Sequence, residues 1–285
     1  MSDQQPTVSI CCITYNHERF ITHAIEGFLM QKTNFRFEVI IGNDSSADRT
    51  AEVAAEFVAK YPDKIKLVST EANMGIHKNL INTLKECTGK YVAFCEGDDF
   101  WTDPYKLQKQ VDFLENNQDY IICCHYTRVV DPDNNTIYVH PNPRPFVYTY
   151  LDLLAGKQEE TKTATVVYRN IPEVHDIIKE PWFFKSYAGD KMFKLWATMN
   201  TGKKIYVIPE VMSCYCNHAG GIWSMIDTNV RKGMMISDFN LIIKNFNYPA
   251  RHKKRLLYLY MKRYFLFEMR NSKINKAFST IKYLL

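Results

Sequence analysis

A chain of 285 residues, 46% hydrophobic and 24% charged, is long enough to bury a full core and too apolar to stay disordered. Its net charge of +5 is uneven: residues 250–285 carry ten Lys or Arg against Glu268 alone, a local +9 that leaves the remainder at −4. A mildly acidic body argues against nucleic-acid binding, and the basic end points to an anionic surface.

No window of about 18 uncharged apolar residues occurs, so no membrane-spanning helix is predicted. Met1–Thr7 lacks a signal-peptide pattern, and the eight cysteines lie mostly in apolar runs with no CxxC pair. Both features predict a cytoplasmic protein with free, buried thiols. Cys214, Cys216 and His218 alternate as on one strand face, but no fourth ligand stands at a zinc spacing.

In chain order, Val8–Tyr15 reads as a strand buried on both faces, His17–Met30 as a helix and Phe37–Ile41 as a second buried strand. Asp48–Tyr61 is a predicted helix with Val53, Phe57 and Tyr61 on one face; strand Ile65–Ser69, helix Asn73–Cys87 and strand Tyr91–Cys95 follow. Asp103-Pro104 reads as the N-cap and first position of a helix with Leu107, Val111 and Leu114 as its stripe. This alternation predicts an α/β fold: a mostly parallel central sheet flanked by helices. Beyond it come strand Ile121–Val130, a turn at 131–135, return strand Thr136–Val139, a connector with Pro141, Pro143 and Pro145, and strand Thr163–Arg169. Helix Asp190–Met199, strands Lys204–Ile208 and Val211–Tyr215, and a helical C-terminal tail complete the pattern.

Ligands of open α/β sheets bind at the carboxyl ends of the strands. Here those ends read Thr14-Tyr15-Asn16, Asn43-Asp44-Ser45-Ser46 and Glu96-Gly97-Asp98-Asp99, the last with three acids in four residues. Such crowding is unfavourable unless a cation neutralises it, and oxygen ligands favour a hard ion, Mn2+ or Mg2+, of the kind that grips a diphosphate. No Gly-x-Gly and no P-loop occurs, so a glycine cradle for phosphate is excluded.

The segments Val8-Ser9-Ile10 with Thr14-Tyr15-Asn16, Ile40 through Thr50, Asn73-Met74-Gly75 with Asn79, and Glu96-Gly97-Asp98-Asp99 stand in that order. Together they resemble the nucleotide-binding half of family 2 glycosyltransferases, which have the Rossmann-like GT-A fold. Phe100-Trp101-Thr102-Asp103-Pro104 and Lys106-Leu107-Gln108-Lys109-Gln110 resemble a bacterial branch of that family. The resemblance implies a GT-A domain over residues 1–223, divided into a nucleotide-sugar-binding half (1–103) and an acceptor half (104–223), with a basic helical tail (224–285).

It also implies roles. Thr14, Tyr15 and Asn16 would line the nucleotide pocket, with Asn73, Gly75 and Asn79 on the donor side. Asp44 would accept a hydrogen bond from the base, usually uracil; Asn43 stands where many members have Asp. Glu96-Gly97-Asp98 would be the DxD motif, with Glu in place of the commoner first Asp and Asp98 as the direct metal ligand. Asp190, in Tyr187-Ala188-Gly189-Asp190, would be the base that deprotonates the acceptor hydroxyl. The segment Tyr215–Trp223 resembles one that closes over the donor, with His218 a ligand of the metal or diphosphate, Gly220-Gly221 a bend and Trp223 a core or acceptor-stacking residue.

The expected activity is therefore inverting, metal-dependent transfer of a sugar from a nucleotide diphosphate donor, a UDP-sugar first, to a glycan or lipid-linked glycan in bacterial surface polysaccharide or glycolipid synthesis. The alternatives are a sugar nucleotidyltransferase and a non-catalytic sugar-nucleotide binding module. In the tail, Leu256, Leu257, Tyr260, Tyr264 and Phe267 interleave with Arg255, Lys262 and Arg263. That pattern suits an interfacial helix on the inner face of the plasma membrane, or a helical subdomain packed on the core or on the partner of a homodimer.

Overall fold

The computed structural model describes residues 5–221, 227–270 and 272–279. In chain order the elements are β1 (Val8–Thr14), α1 (Ile21–Leu29), β2 (Phe37–Asn43), α2 (Thr50–Lys60), β3 (Ile65–Ser69), α3 (Ile76–Lys85), β4 (Tyr91–Phe94) and β5 (Phe100–Trp101). Then come α4 (Lys106–Asn116), β6 (Tyr120–Val130), β7 (Thr136–Tyr138), β8 (Phe146–Tyr148), α5 (Tyr150–Leu154), β9 (Val167–Arg169) and α6 (Pro172–His175). The chain continues through α7 (Gly189–Thr201), β10 (Lys204–Cys216), α8 (Thr228–Asn245), α9 (Ala250–Arg270) and α10 (Ile274–Ser279).

One sheet runs in the order β3-β2-β1-β4-β9-β6-β10-β5, with β7 on β6 and β8 on β10. Successive residues of a strand face opposite sides, so a run apolar at every position is satisfied only between two covering layers. Val8, Ile10 and Cys12 of β1 join a core with α1, α2 and α4; Cys11 joins the opposite core, with α5 and α7. Val92 and Phe94 of β4 lie on the Cys11 side, Tyr91 and Ala93 on the other. Val53, Phe57 and Tyr61 pack into the first core as their spacing predicts.

The long ladders are parallel: β1 with β2 and β4, β2 with β3, and β6 with β10. The second half departs from the expected parallel order. β9 lies antiparallel between β4 and β6, entered from a 3-10 turn at Thr163–Thr165 and not from a crossover helix. The two strands expected over 204–215 are one strand, β10, whose register against β6 shifts between Ile208 and Val211. Pro209 there has no N–H for the ladder. The α4 helix begins at Lys106, not at Pro104; Asp103 accepts Tyr105 N–H at 2.7 Å and Lys109 Nζ at 2.7 Å, capping the turn before the helix.

The segment after residue 227 is built into the fold. Phe239 and Ile242 of α8, Phe246, and Leu256 of α9 join the core that holds Phe183 and Phe193. Each such burial is worth about 1.5–3 kcal/mol, so the four together rival the about 5–15 kcal/mol net stability of a whole domain. Phe239 stacks on Tyr260 at 3.5 Å between centroids, and buried Lys232 pairs with Glu268. The apolar face expected on lipid therefore faces protein: Leu256 and Tyr264 are buried, and Leu257 and Tyr260 pack against the core. The outer face of α9 carries Tyr258, Leu259, Leu266 and Met269 among Lys253, Lys254, Arg255 and Lys262. Trp223 and the side chains of Arg263 and Phe267 lie outside the described residues. Among those described, no helix is long and apolar enough to cross a membrane.

Candidate active site

β1 has β2 on one side and β4 on the other. The direction of winding reverses there, which leaves a crevice at the carboxyl ends of these strands. Two non-glycine residues adopt left-handed backbone at its rim, Asn16 (φ 56°) and Ser45 (φ 54°). Such conformations persist only where surrounding bonds over-determine them. Here Asn16 N–H donates to Ser46 Oγ (3.0 Å), Asn16 Oδ1 accepts Ala47 N–H (2.8 Å), and Ser46 Oγ donates to Asn43 Oδ1 (2.5 Å). His17 N–H donates to Thr50 Oγ1 at 2.8 Å. The two loops are zipped into one rigid rim.

Several residues expected on the donor turn inward. The side-chain oxygen of Asn16 is engaged by that loop bond. Asn79 is buried under β2, donating to Gly42 O at 2.9 Å, where a Cβ on Gly42 would lie 1.8 Å from Thr83 Oγ1. It holds α3 to the sheet. Asp44 is 3% exposed and accepts Met74 N–H (2.8 Å) and Gly75 N–H (2.9 Å), while Asn73 donates to Asp44 O (3.3 Å). Gly75 is the N-cap of α3 at φ 82°, in reach of glycine alone without strain. Tyr15 is exposed at the crevice mouth. Thr14 is buried with Oγ1 unpartnered, and a Cβ on Gly97 would lie 2.6 Å from that oxygen, so only glycine lets the ends of β1 and β4 approach this closely.

The acids after β4 are disposed of separately. Asp99 is buried and accepts Cys216 N–H at 2.9 Å, tying this turn to β10. Asp98 Oδ2 meets Nε2 of His218 at 3.0 Å and of His17 at 3.7 Å. These three residues bring donor atoms within 4.8 Å of one another, a group with the composition of a metal site. Burial pushes Asp98 up, but the His218 hydrogen bond and the two imidazoles hold it below the usual carboxylate range. Burial lowers His17, so its imidazole is neutral and free to ligate at neutral pH. His218 Nδ1 accepts Gly220 N–H at 3.2 Å, which leaves the ring proton on Nε2 to donate to Asp98. To the Asp98 and His218 expected from the sequence the structure adds a second imidazole, His17. Cys214 and Cys216 take no part in that cluster: both are buried and free.

Asp190 enters from the second half, in the first turn of α7. Its Oδ2 is 2.8 Å from Lys194 Nζ, one turn on; Lys194 is 3% exposed and also donates to Thr161 O at 2.6 Å. Burial would raise Asp190, and the Lys194 ammonium more than offsets it, so the carboxylate is ionised below its usual value. Burial and Asp98 push Glu96 up to about 8 against a hydrogen bond from Thr163, and the charge of Asp190 adds a smaller push from the second half. Sequence reasoning missed His17 and Lys194. One more residue along the β1 end reaches His17, and the four-residue spacing after Asp190 marks Lys194.

A family model for glycosyl transferase family 2 matches residues 9–171. An uncharacterised protein of Mycobacterium tuberculosis is 36% identical over 225 residues, 79% of this chain and 63% of that protein. EpsE of Bacillus subtilis, which bears the name of a glycosyltransferase, is 37% identical over 115 residues, 40% of this chain and 41% of its own length. The chain thus spans less than two thirds of these relatives. The fold matches the Staphylococcus aureus TarS structure in complex with UDP at a TM-score of 0.65 and 20% identity, over 93% of this chain and 73% of that one. It matches the mannosyltransferase PcManGT of Pyrobaculum calidifontis, in complex with GDP-Man and Mn2+, at 0.66 and 16%, over 99% and 75%.

Glu96 yields a stability prediction. A carboxyl whose folded pKa, about 8, lies above its ordinary value of 4.5 stabilises the fold below the lower value and loses that contribution as pH rises through the higher. Buried Lys106, lowered by burial to about 7, slopes the other way, so variant and parent must be compared. The melting temperature of Glu96→Gln minus that of the metal-free parent should grow from about pH 6 to about pH 9. A constant difference would show that Glu96 does not hold its proton.

Proposed function

The chain belongs to glycosyltransferase family 2 and carries the GT-A fold, and on that footing we propose that it transfers a sugar from a nucleotide diphosphate donor to an acceptor hydroxyl with inversion. The observation that carries this reading is the cluster of His17, Asp98 and His218 at the switch point, with Asp190 felt electrostatically at the same acidic turn. The orphaned Thr14 hydroxyl beside Gly97 and the neutral His17 imidazole fit a bound metal and diphosphate. A divalent ion held there supplies positive charge against the departing diphosphate. The His17 imidazole beside Asp98, joined by His218 once a cation displaces its Nε2 proton, would favour Mn2+ over Mg2+, which prefers oxygen ligands.

The chain's own residues do the rest. Asp190, kept ionised by Lys194, accepts the proton of the acceptor hydroxyl as that oxygen attacks the anomeric carbon. A carboxylate below its usual pKa is a weak base toward a free alcohol. Proton transfer is then concerted with attack, when the hydroxyl has become acidic. Attack opposite the leaving group in one displacement inverts the centre. Exposed Tyr15 at the crevice mouth is available to the nucleotide base. A UDP-sugar is the first donor class to test, and a glycan or lipid-linked glycan the acceptor.

The donor site is tested by thermal shift with UDP, GDP, CDP and dTDP, each with Mn2+, Mg2+ or no metal. One nucleotide class should stabilise the protein only with metal, Mn2+ more than Mg2+. Asp98→Asn and His17→Ala should each abolish that dependence, and retention in both variants would remove the cluster from donor binding. Asp190→Asn should keep donor affinity and lose about 10²-fold or more in rate, read as nucleoside diphosphate release; undiminished turnover would remove Asp190 from the mechanism.

The outer face of α9 supports a second, separable reading, docking on anionic lipid, because its lysines and arginines surround Tyr258, Leu259, Leu266 and Met269. The protein should float with phosphatidylserine-containing liposomes at low salt. Sedimentation without them would sink this reading and leave the catalytic one intact.

A further inference from the structure

α7 lacks a cap of its own. Its N-cap is Ala188, which has no side-chain acceptor, and the preceding residue is Tyr187. The first N–H groups of a helix need acceptors, and a local Ser, Thr, Asp or Asn is the common supplier. The acceptor that another helix supplies serves the residues leading into α7, not its first turn. Asp238 of α8 is 4% exposed, and its two oxygens accept Tyr187 N–H and Ala188 N–H, each at 2.8 Å.

This carboxylate is an expensive choice. A buried charge costs several kcal/mol unless it is well hydrogen-bonded. Burial raises Asp238 against the pull of its two N–H donors, and the charge of Asp190 adds a smaller push in the same direction as burial. A serine at position 188 would cap the first turn of α7 without either cost, but it could not accept the N–H groups of residues 187 and 188 that Asp238 holds. What the distant carboxylate adds is a fixed direction: it ties the turn before Asp190 to a helix docked in the core. A second tie runs beside it, from Lys191 Nζ to Tyr260 Oη of α9 at 3.1 Å. On the other side of the turn, Ser186 Oγ contacts His77 Nε2 of α3 at 3.2 Å. The Tyr187–Asp190 turn is thus held between the nucleotide-side helix α3 and the C-terminal helices, with Lys194 setting the carboxylate itself.

We propose that Asp238, assisted by Tyr260, is a positioning residue: the C-terminal helices complete the catalytic centre by holding the turn that carries Asp190 at the angle its proton transfer requires. The proposal rests on the reading of Asp190 as the base. A displacement of about 1 Å in a positioned group is enough to cost about 10²-fold in rate, so the tie governs kcat and leaves the donor site alone.

The test uses the full chain and the sugar nucleotide that the wild type consumes fastest, with Mn2+ present. Asp238→Asn keeps the shape and offers one acceptor where two N–H groups need one each. It should lower kcat about tenfold with the donor KM and the calorimetric UDP–Mn2+ affinity within about twofold. Amide exchange over Tyr187–Asp190 should quicken about tenfold, with β1 unchanged. The double variant Asp190→Asn/Asp238→Asn should be no slower than Asp190→Asn, because both losses act on one step. Adding Ala188→Ser to Asp238→Asn should recover melting temperature without recovering kcat.

An unchanged kcat, losses that multiply in the double variant, or full rescue of kcat by Ala188→Ser would each overturn the proposal. If Asp238→Asn does not fold, Tyr260→Phe removes the second tie alone, and it must lower kcat without raising the donor KM. Full turnover by Asp190→Asn would instead defeat the base reading, a distinct outcome from full turnover by Asp238→Asn.

Discussion

Like-charge crowding is the constraint around which the site is organised. Glu96, Asp98 and Asp99 leave β4 within four residues, and Asp190 is brought to the same place by α7. In a partly buried crevice such charges repel with little screening, and the fold answers each one differently. Asp98 is offset by two imidazoles. Asp99 turns into the protein against Cys216 N–H. Asp190 has the buried ammonium of Lys194. Glu96, pushed up to about 8, keeps a proton near neutrality. The result is one ionised carboxylate between two imidazoles and another beside Lys194, separated by a carboxyl that is neutral until a cation or rising pH removes its proton.

Holding these groups apart requires a rigid frame. The rim supplies it through bonds that cross between loops rather than along them. Asn16 reaches Ala47, His17 reaches Thr50, and Asp44 reaches Met74 and Gly75. Left-handed backbone at Asn16 and Ser45 is the strain this frame maintains. Its consequence is geometric: it turns His17 back toward Asp98, where an extended continuation of β1 would carry it past.

The C-terminal helices belong to this frame. Their apolar residues are shared with the core beneath α7, and Asp238 and Tyr260 meet the two ends of the turn before and after Asp190. A basic, aromatic-rich segment is compatible with a lipid surface and with a protein interior alike. Leu256 and Tyr264 went inside because α8 and the Phe183 region offered them an apolar partner; Glu268 turned in with them to pair with Lys232, while Lys253, Lys254, Arg255 and Lys262 stayed outside.

The residues that determine themselves locally were legible in the chain. Two-sided apolar runs required a covered sheet, and their order with the intervening helices required the parallel half. The polar strand ends located the crevice, and Glu96-Gly97-Asp98 with Asp190 named its acids. Those features depend on neighbours a few positions away, through periodicity and turn chemistry. What the chain could not announce depends on distance in space. Asn79 reads as a donor contact until α3 is laid on β2, when it becomes a strut. The antiparallel β9, the merging of two strands into β10, and Asp99's turn inward follow from pairings across the sheet. His17 and His218 become one cluster only when the ends of β1, β4 and β10 converge, and Asp238 acquires a role only where α8 docks. Sequence determined which chemical groups are present and which way each element faces; tertiary structure decided which groups share a charge, because hydrogen bonding and electrostatic neutralisation act between neighbours in space and are blind to separation along the chain.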